Sequence, residues 1–188
     1  MNKQEEKKQE EQYDPKLFEI SLQIRNFEIE LFWKRSLFFW GFIASAFVGF
    51  ATLYDKNPFY SIVIAHFGLI CSLCWTLLNR GSKFWQENWE RKVADMKLNK
   101  YHELFTTIEP IESKFFMLRA KKFSVSKLTI GLSDFVVLLW FGIILNAILH
   151  EFDIVLIKSN GTSIFVILLL TILYGIYLII FGRTSEKK

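Results

Sequence analysis

Hydrophobic and charged residues fall into separate blocks along this chain. Residues 36–54, 57–79 and 159–182 contain no Asp, Glu, Lys or Arg, and 128–149 contains Asp134 alone. A helix crosses the hydrocarbon of a bilayer with about 20 mostly apolar residues, so each block predicts one membrane span. A water-soluble chain of this length could not bury four helices that are apolar all round. The expected fold is therefore all-α: a four-transmembrane-helix bundle preceded by an N-terminal amphipathic helix and interrupted by a helical cytoplasmic loop. The boundaries that follow are a disordered tail at 1–12, the amphipathic helix at 13–35, and a transmembrane hairpin of spans one and two at 36–79. A cytoplasmic helical loop at 80–127, a second hairpin of spans three and four at 128–182 and a short tail at 183–188 complete the chain. The first apolar block starts too late for a secretory signal peptide and is expected to stay as an anchor.

Local patterning refines these elements. Asp14-Pro15 predicts a helix start, with Asp as N-cap and Pro at the first helical position. Leu17, Ile20, Ile24, Phe27 and Leu31 then recur at alternating spacings of three and four, which is a short coiled-coil-like stripe suited to contact with another subunit. Nothing between Glu30 and Phe38 breaks a helix, so this one is expected to run on into span one. Trp33 and Trp40 are placed as anchors at the membrane interface. Span one carries Gly41, Ser45 and Gly49 four residues apart, and span two carries Ser61/Ala65 and Gly68/Ser72. Small residues at that spacing let helices approach closely in lipid, and those of span one are assigned to the oligomer interface. The turn at 55–58 joins two antiparallel spans. Arg80-Gly81-Ser82 predicts a break and a new helix capped by Ser82. Trp85 and Trp89 on that helix are expected to pack in the cytoplasmic layer, with Glu87 and Arg91 paired. Pro110 interrupts the following stretch, and Ser124 or Ser126 is expected to cap span three.

Charge fixes an orientation. Of the 23 Lys and Arg residues, 21 flank the spans on one side and two, Lys56 and Lys158, lie on the other. The positive-inside rule then puts both termini and the middle loop in the cytoplasm. The formal net charge of +4 is thus mainly a topology signal, and nucleic acid is not expected as a partner.

Composition offers little chemistry. The three histidines, His66, His102 and His150, fall in the membrane and on its two opposite sides, so they cannot jointly hold a metal. No Gly-rich phosphate loop, nucleophile elbow or HExxH sequence is present. The chain is expected to be neither an enzyme nor a cofactor protein. Cys71 and Cys74 form a CxxC inside span two, where they read as small packing residues. Four polar positions within the spans call for partners, because polar groups are costly in lipid: His66, Asp134, Asn146 and Thr171. Asp134 requires a basic residue from the cytoplasmic helices or a watery vestibule. His66 and Asn146 are expected to hydrogen-bond between helices.

The run RNFEIELFWKRS at 25–36 and the run GSKFWQENWE at 81–90, with weaker support from FSVSKL at 123–128, resemble the RipA family of bacterial inner-membrane proteins. The resemblance implies a homo-octamer in the inner membrane, with no catalytic residues to carry over. It adds a ring to the expected fold. Membrane lipid, further copies of the chain and a cytoplasmic protein docked on the ring are the expected partners. A structural or regulatory assembly is the leading functional expectation. A gated channel at the ring axis, lined by Ser45, His66, Asn146 or Thr171, is the alternative, and a transporter ranks third for want of broken helices and midplane charges.

Overall fold

The computed structural model describes residues 15–95, 123–151 and 161–183, and they form four helices. These are α1 (Pro15–Leu53), α2 (Pro58–Asp95), α3 (Val125–Glu151) and α4 (Gly161–Phe181). No strand occurs among the described residues; a single antiparallel bridge joins Phe123 to Arg183. Three helices, α1 to α3, are long and apolar enough to cross a membrane, and α4 contributes the apolar stretch Val166–Phe181. The expectations for the tail at 1–12, the Asp14 cap, the loop around Pro110, the connection after Glu151 and the tail after Arg183 lie outside the described residues.

The 39 residues of α1 and 38 of α2 give each about 57 Å at 1.5 Å per residue. A hydrocarbon core is only about 30 Å thick, so almost half of each helix extends beyond it. For α1 this continuity matches the absence of any breaker between Glu30 and Phe38. For α2 it corrects the expected break at Gly81, which sits within the helix. One helical glycine costs about 1 kcal/mol relative to alanine, too little to end a helix flanked by good helix formers. Lys83 also bridges to Glu87 at 2.7 Å one turn on. Glu87 thus meets Lys83, while Arg91 donates to the Glu87 carbonyl at 3.3 Å.

The other ends are locally specified. Asn57 accepts the Tyr60 amide at 3.3 Å and Pro58 opens α2, a pairing that suits a helix start. Ser124 accepts the Lys127 amide at 3.4 Å, so of the two candidate caps it is Ser124 that closes the start of α3.

The chain divides into two compact units, to which the described parts of Met1–Lys34 with Gly81–Lys121 and of Arg35–Arg80 with Lys122–Lys188 belong. In the first, Phe32, Val93, Ser21 and Gln86 are buried, whereas Leu17, Ile20 and Phe27 of the heptad stripe are exposed and Ile24 and Leu31 half-buried. Trp85, expected to be packed, is 51% exposed, with its neighbour Phe84 against its ring edge. Trp89 is half-buried with the Lys92 ammonium 4.3 Å from its ring centre. The two tryptophans lie about 40° apart in helical phase per turn, so burying one face leaves Trp85 at its margin.

The second unit has its core where α1, α2 and α3 meet. Trp140 is fully buried between Ala46, Ala65 and Ile144. Its indole stacks on Phe47 with centroids 4.2 Å apart and meets Phe50 edge-on at 6.0 Å. A smaller cluster of Ile43, Cys71 and Trp75 lies beside it. The indole fits because Gly68 has no side chain: a Cβ there would collide with the Trp140 ring. Ser61, Ala65, Gly68 and Ser72 are all buried, so the small-residue stripe of α2 is used up inside the protomer.

Candidate functional site: a polar clamp across three helices

Side chains from three separate helices converge at one level of the second unit. Ser36 comes from α1, Trp75, Thr76, Asn79 and Arg80 from α2, and Ser133 and Asp134 from α3. Ser36 and Ser133 are fully buried, and Thr76 and Asn79 nearly so. The antiparallel turn after Leu53 explains the first pairing, because Ser36 lies about as far before it as Asn79 lies after it. Helical periodicity explains the second, since Thr76, Asn79 and Arg80 share one face of α2.

The hydrogen bonds run in one direction. Trp75 Nε1 donates to Ser36 Oγ at 3.3 Å, and Ser36 Oγ donates to Asn79 Oδ1 at 3.4 Å. Asn79 Nδ2 donates to Ser133 Oγ at 3.4 Å, which can pass its proton to Thr76 Oγ1 at 2.9 Å or to the Ile130 carbonyl at 2.8 Å. Thr76 Oγ1 donates to Asp134 Oδ1. Arg80 closes the chain with Nη1 to Asp134 Oδ1 at 2.9 Å, Nη2 to Oδ2 at 2.8 Å and Nη1 to Thr76 Oγ1 at 2.6 Å. With the Ser133 proton on Thr76 the donors run toward the one carboxylate, and a two-pronged guanidinium neutralises it.

This geometry makes a clamp. A carboxylate at the edge of the apolar layer is tolerated when paired and hydrogen-bonded, and here its partners come from the helix it does not belong to. The Arg80 and Asp134 side chains are 49% and 30% exposed on the protomer surface, whereas the neutral end of the network is buried. Proton conduction along the whole chain is interrupted at Asn79, whose amide does not relay protons as a hydroxyl does. Among the described residues no group of three or more His, Cys, Asp or Glu is placed to hold a metal.

A second junction fastens α4 to α3. Tyr174 donates to the Gly131 carbonyl at 2.7 Å and its ring lies 5.1 Å from that of Phe135. Lys127 Nζ donates to the Arg183 carbonyl at 3.0 Å. A Cβ on Gly131 would meet the end of the Leu178 side chain, which would have to turn aside. Further along, α3 and α4 line a groove of about 500 Å³ whose wall is mostly apolar, with Asn146 and Thr171 in it beside Tyr174.

The positions singled out from sequence are scattered across these features. Asp134 is in the clamp. His66 is exposed and its Nδ1 contacts the Ile62 carbonyl of its own helix at 2.8 Å, in place of the expected bond between helices. Asn146 and Thr171 face each other's groove, and Thr171 donates to the Ile167 carbonyl at 2.9 Å. Gly41 and Ser45 are exposed on α1, with nothing within 4 Å of a Cβ built on Gly41. Gly49 is half-buried, and a Cβ built on it would lie 3.2 Å from the Ile64 side chain of α2 inside the protomer. Ser36, Thr76, Asn79, Arg80 and Ser133 were not singled out. The available signal was the hairpin register that sets Ser36 opposite Asn79.

Comparison with known proteins adds one match. Residues 15–149 match the model of the Octameric membrane protein family (8xMP). No curated protein and no solved structure matches the chain.

Proposed function

The chain belongs to the octameric membrane protein family, and from that membership we propose that it is a homo-octameric structural or regulatory assembly of the bacterial inner membrane. Four spans, with α4 as the last, and cytoplasmic termini are part of this reading, as is the absence of enzymatic activity. The motifs at 25–36 and 81–90 support a RipA-type member. The carrying observation is the clamp: three helices are tied into one block by side-chain hydrogen bonds and a bidentate ion pair, a construction for transmitting or resisting force. The 39 and 38 residues of α1 and α2 exceed what a span needs, which leaves helical surface outside the membrane on which a cytoplasmic protein can dock.

A second reading, a pore at the axis of the assembly, is favoured by the exposure of Ser45, His66 and Thr171 on the protomer surface, since a wettable lining is required. The experiment is electron cryomicroscopy of the full-length protein in lipid nanodiscs, with native mass measured in parallel. Eight copies around a lipid-filled or Phe- and Leu-sealed centre support the assembly reading. Eight copies around an axis lined by those polar residues favour the pore, and a monomeric mass in nanodiscs rejects both.

A further inference from the structure

We propose that the groove between α3 and α4 receives the outer face of α1 from a neighbouring copy of the chain, so that the assembly closes head to tail. The inference rests on the oligomeric reading above and adds the two surfaces that meet.

The groove is concave, about 500 Å³ in volume, and carries the half-buried Asn146 amide and the Thr171 hydroxyl in a mostly apolar wall. A polar amide at hydrocarbon depth favours an occupant that offers it a hydrogen bond, which a lipid acyl chain does not. A family of octamers supplies further copies of the chain. A self-complementary patch closes at two copies, whereas a ring of eight built from one repeated contact needs two different patches. The groove must then be met by another face of the neighbour.

The outer face of α1 suits it. Gly41, Ser45, Val48 and Thr52 lie on the side opposite the buried Ile43 and Ala46, and all four are exposed. With nothing within 4 Å of a Cβ on Gly41, this face admits close approach by another helix. The corresponding stripe on α2 is already filled by its own protomer.

Depth agrees as well. Trp140 stacks on Phe47 and meets Phe50, so Asn146, fewer than two turns further along α3, is level with the last turn of α1, where Thr52 sits. Tyr174 touches Phe135, which puts Thr171, one turn back on the antiparallel α4, level with the next turn of α3. That turn lies just short of Trp140, which stacks on Phe47, and so within about one helical turn of Ser45. The two polar positions of the groove thus lie within about one turn of the depths of the two hydroxyls on α1.

The test uses full-length chains in a Cys71→Ala/Cys74→Ala background whose native mass equals that of the wild type. One tagged chain carries Ser45→Cys, and a second, with a different tag, carries Thr171→Cys. After co-expression and oxidation in the membrane, a doubled-mass band carrying both tags is expected, with no such band from either chain expressed alone. Independently, Gly142 lines the groove and has nothing within 4 Å of a Cβ, so Gly142→Leu fills the groove without a clash in the protomer. It should convert the octameric mass to smaller species, while Gly175→Leu, on equally open ground outside the groove lining, leaves the mass unchanged. An oligomeric wild type that gives no mixed band and tolerates Gly142→Leu overturns the inference and leaves the groove to lipid, with the assembly reading intact. A monomeric wild type removes that reading itself.

Discussion

Two stripes of small residues, alike on paper, have opposite fates in this protein. On α2, Ser61, Ala65, Gly68 and Ser72 are buried, and Gly68 lies under the Trp140 indole. On α1, Gly41 and Ser45 stay exposed with open space above Gly41, and only Gly49 meets a neighbour, Ile64. Small-residue spacing states that some helix can come close; it does not state which. The difference lies in the partner: α3 offers α2 a flat aromatic ring to fill the hollow, and no described residue of the protomer fills the hollow on α1.

The contrast is broken most forcefully at its aromatic half. Trp140→Ala removes the ring that stacks on Phe47 and covers Gly68, and a buried Trp-to-Ala change costs about 3–5 kcal/mol. Unfolding of the detergent-solubilised protomer should shift by that amount, with native mass lost alongside. Gly41→Leu places its side chain in open space, so the protomer should unfold as the wild type does while assembly weakens. Equal destabilisation by the two variants would erase the distinction between the stripes.

The clamp is the next target. Arg80→Ala strands the Asp134 carboxylate among Thr76 and Ser133, whereas Asp134→Ala leaves a guanidinium that is already half-exposed and can turn toward water. Hydrogen bonds to charged groups contribute about 1.5–3 kcal/mol when buried, and exposure at this pair lowers that. Arg80→Ala should therefore cost about 2 kcal/mol and Asp134→Ala about 1 kcal/mol. Their double mutant should cost less than the sum, as read by a double-mutant cycle of unfolding free energies. Ser133→Ala, which removes one neutral link between Asn79 and Thr76, should cost about 0.6–1.7 kcal/mol, the range of hydrogen bonds between membrane helices. Additive effects of Arg80→Ala and Asp134→Ala would mean that the pair is not coupled.

What could be read along the chain follows from how local each feature is. The apolar blocks place α1, α2 and α3, because hydrophobic length is a property of one segment, and Ser124 at the start of α3 is readable as a cap for the same reason. Gly81 misled because a lone glycine between helix formers is a weak breaker; the Lys83–Glu87 bridge and the rest of α2 carry the helix through it. The clamp was hidden because it is assembled from three helices, and each of its residues alone is ordinary. Asp134 stands out as the only charge in its block and calls for a basic partner, yet along the chain Arg80 reads as part of a helix break and nothing there names it as that partner. The Gly68–Trp140 fit requires knowing which face of α3 meets α2, and α3 is apolar nearly all round, so its sequence does not name that face.

The smallest effect is expected next door to the tightest packing. Ala65 is 1% exposed in the core, whereas His66, one position on and about 100° around the helix, is exposed and bonded to the Ile62 carbonyl of its own turn. That bond lies within one helix, so His66→Phe removes no link between helices and adds apolar surface where lipid can cover it. Unfolding of the protomer should change by less than about 0.5 kcal/mol, as for surface substitutions in general, and native mass should not change. The same substitution also sharpens the comparison of the two stripes. If His66→Phe left the protomer alone but altered the assembled mass, the outward side of α2 would join the outer face of α1 as a contact between subunits. Small residues would then mark only part of that contact, and the rest would be carried by the large side chains beside them.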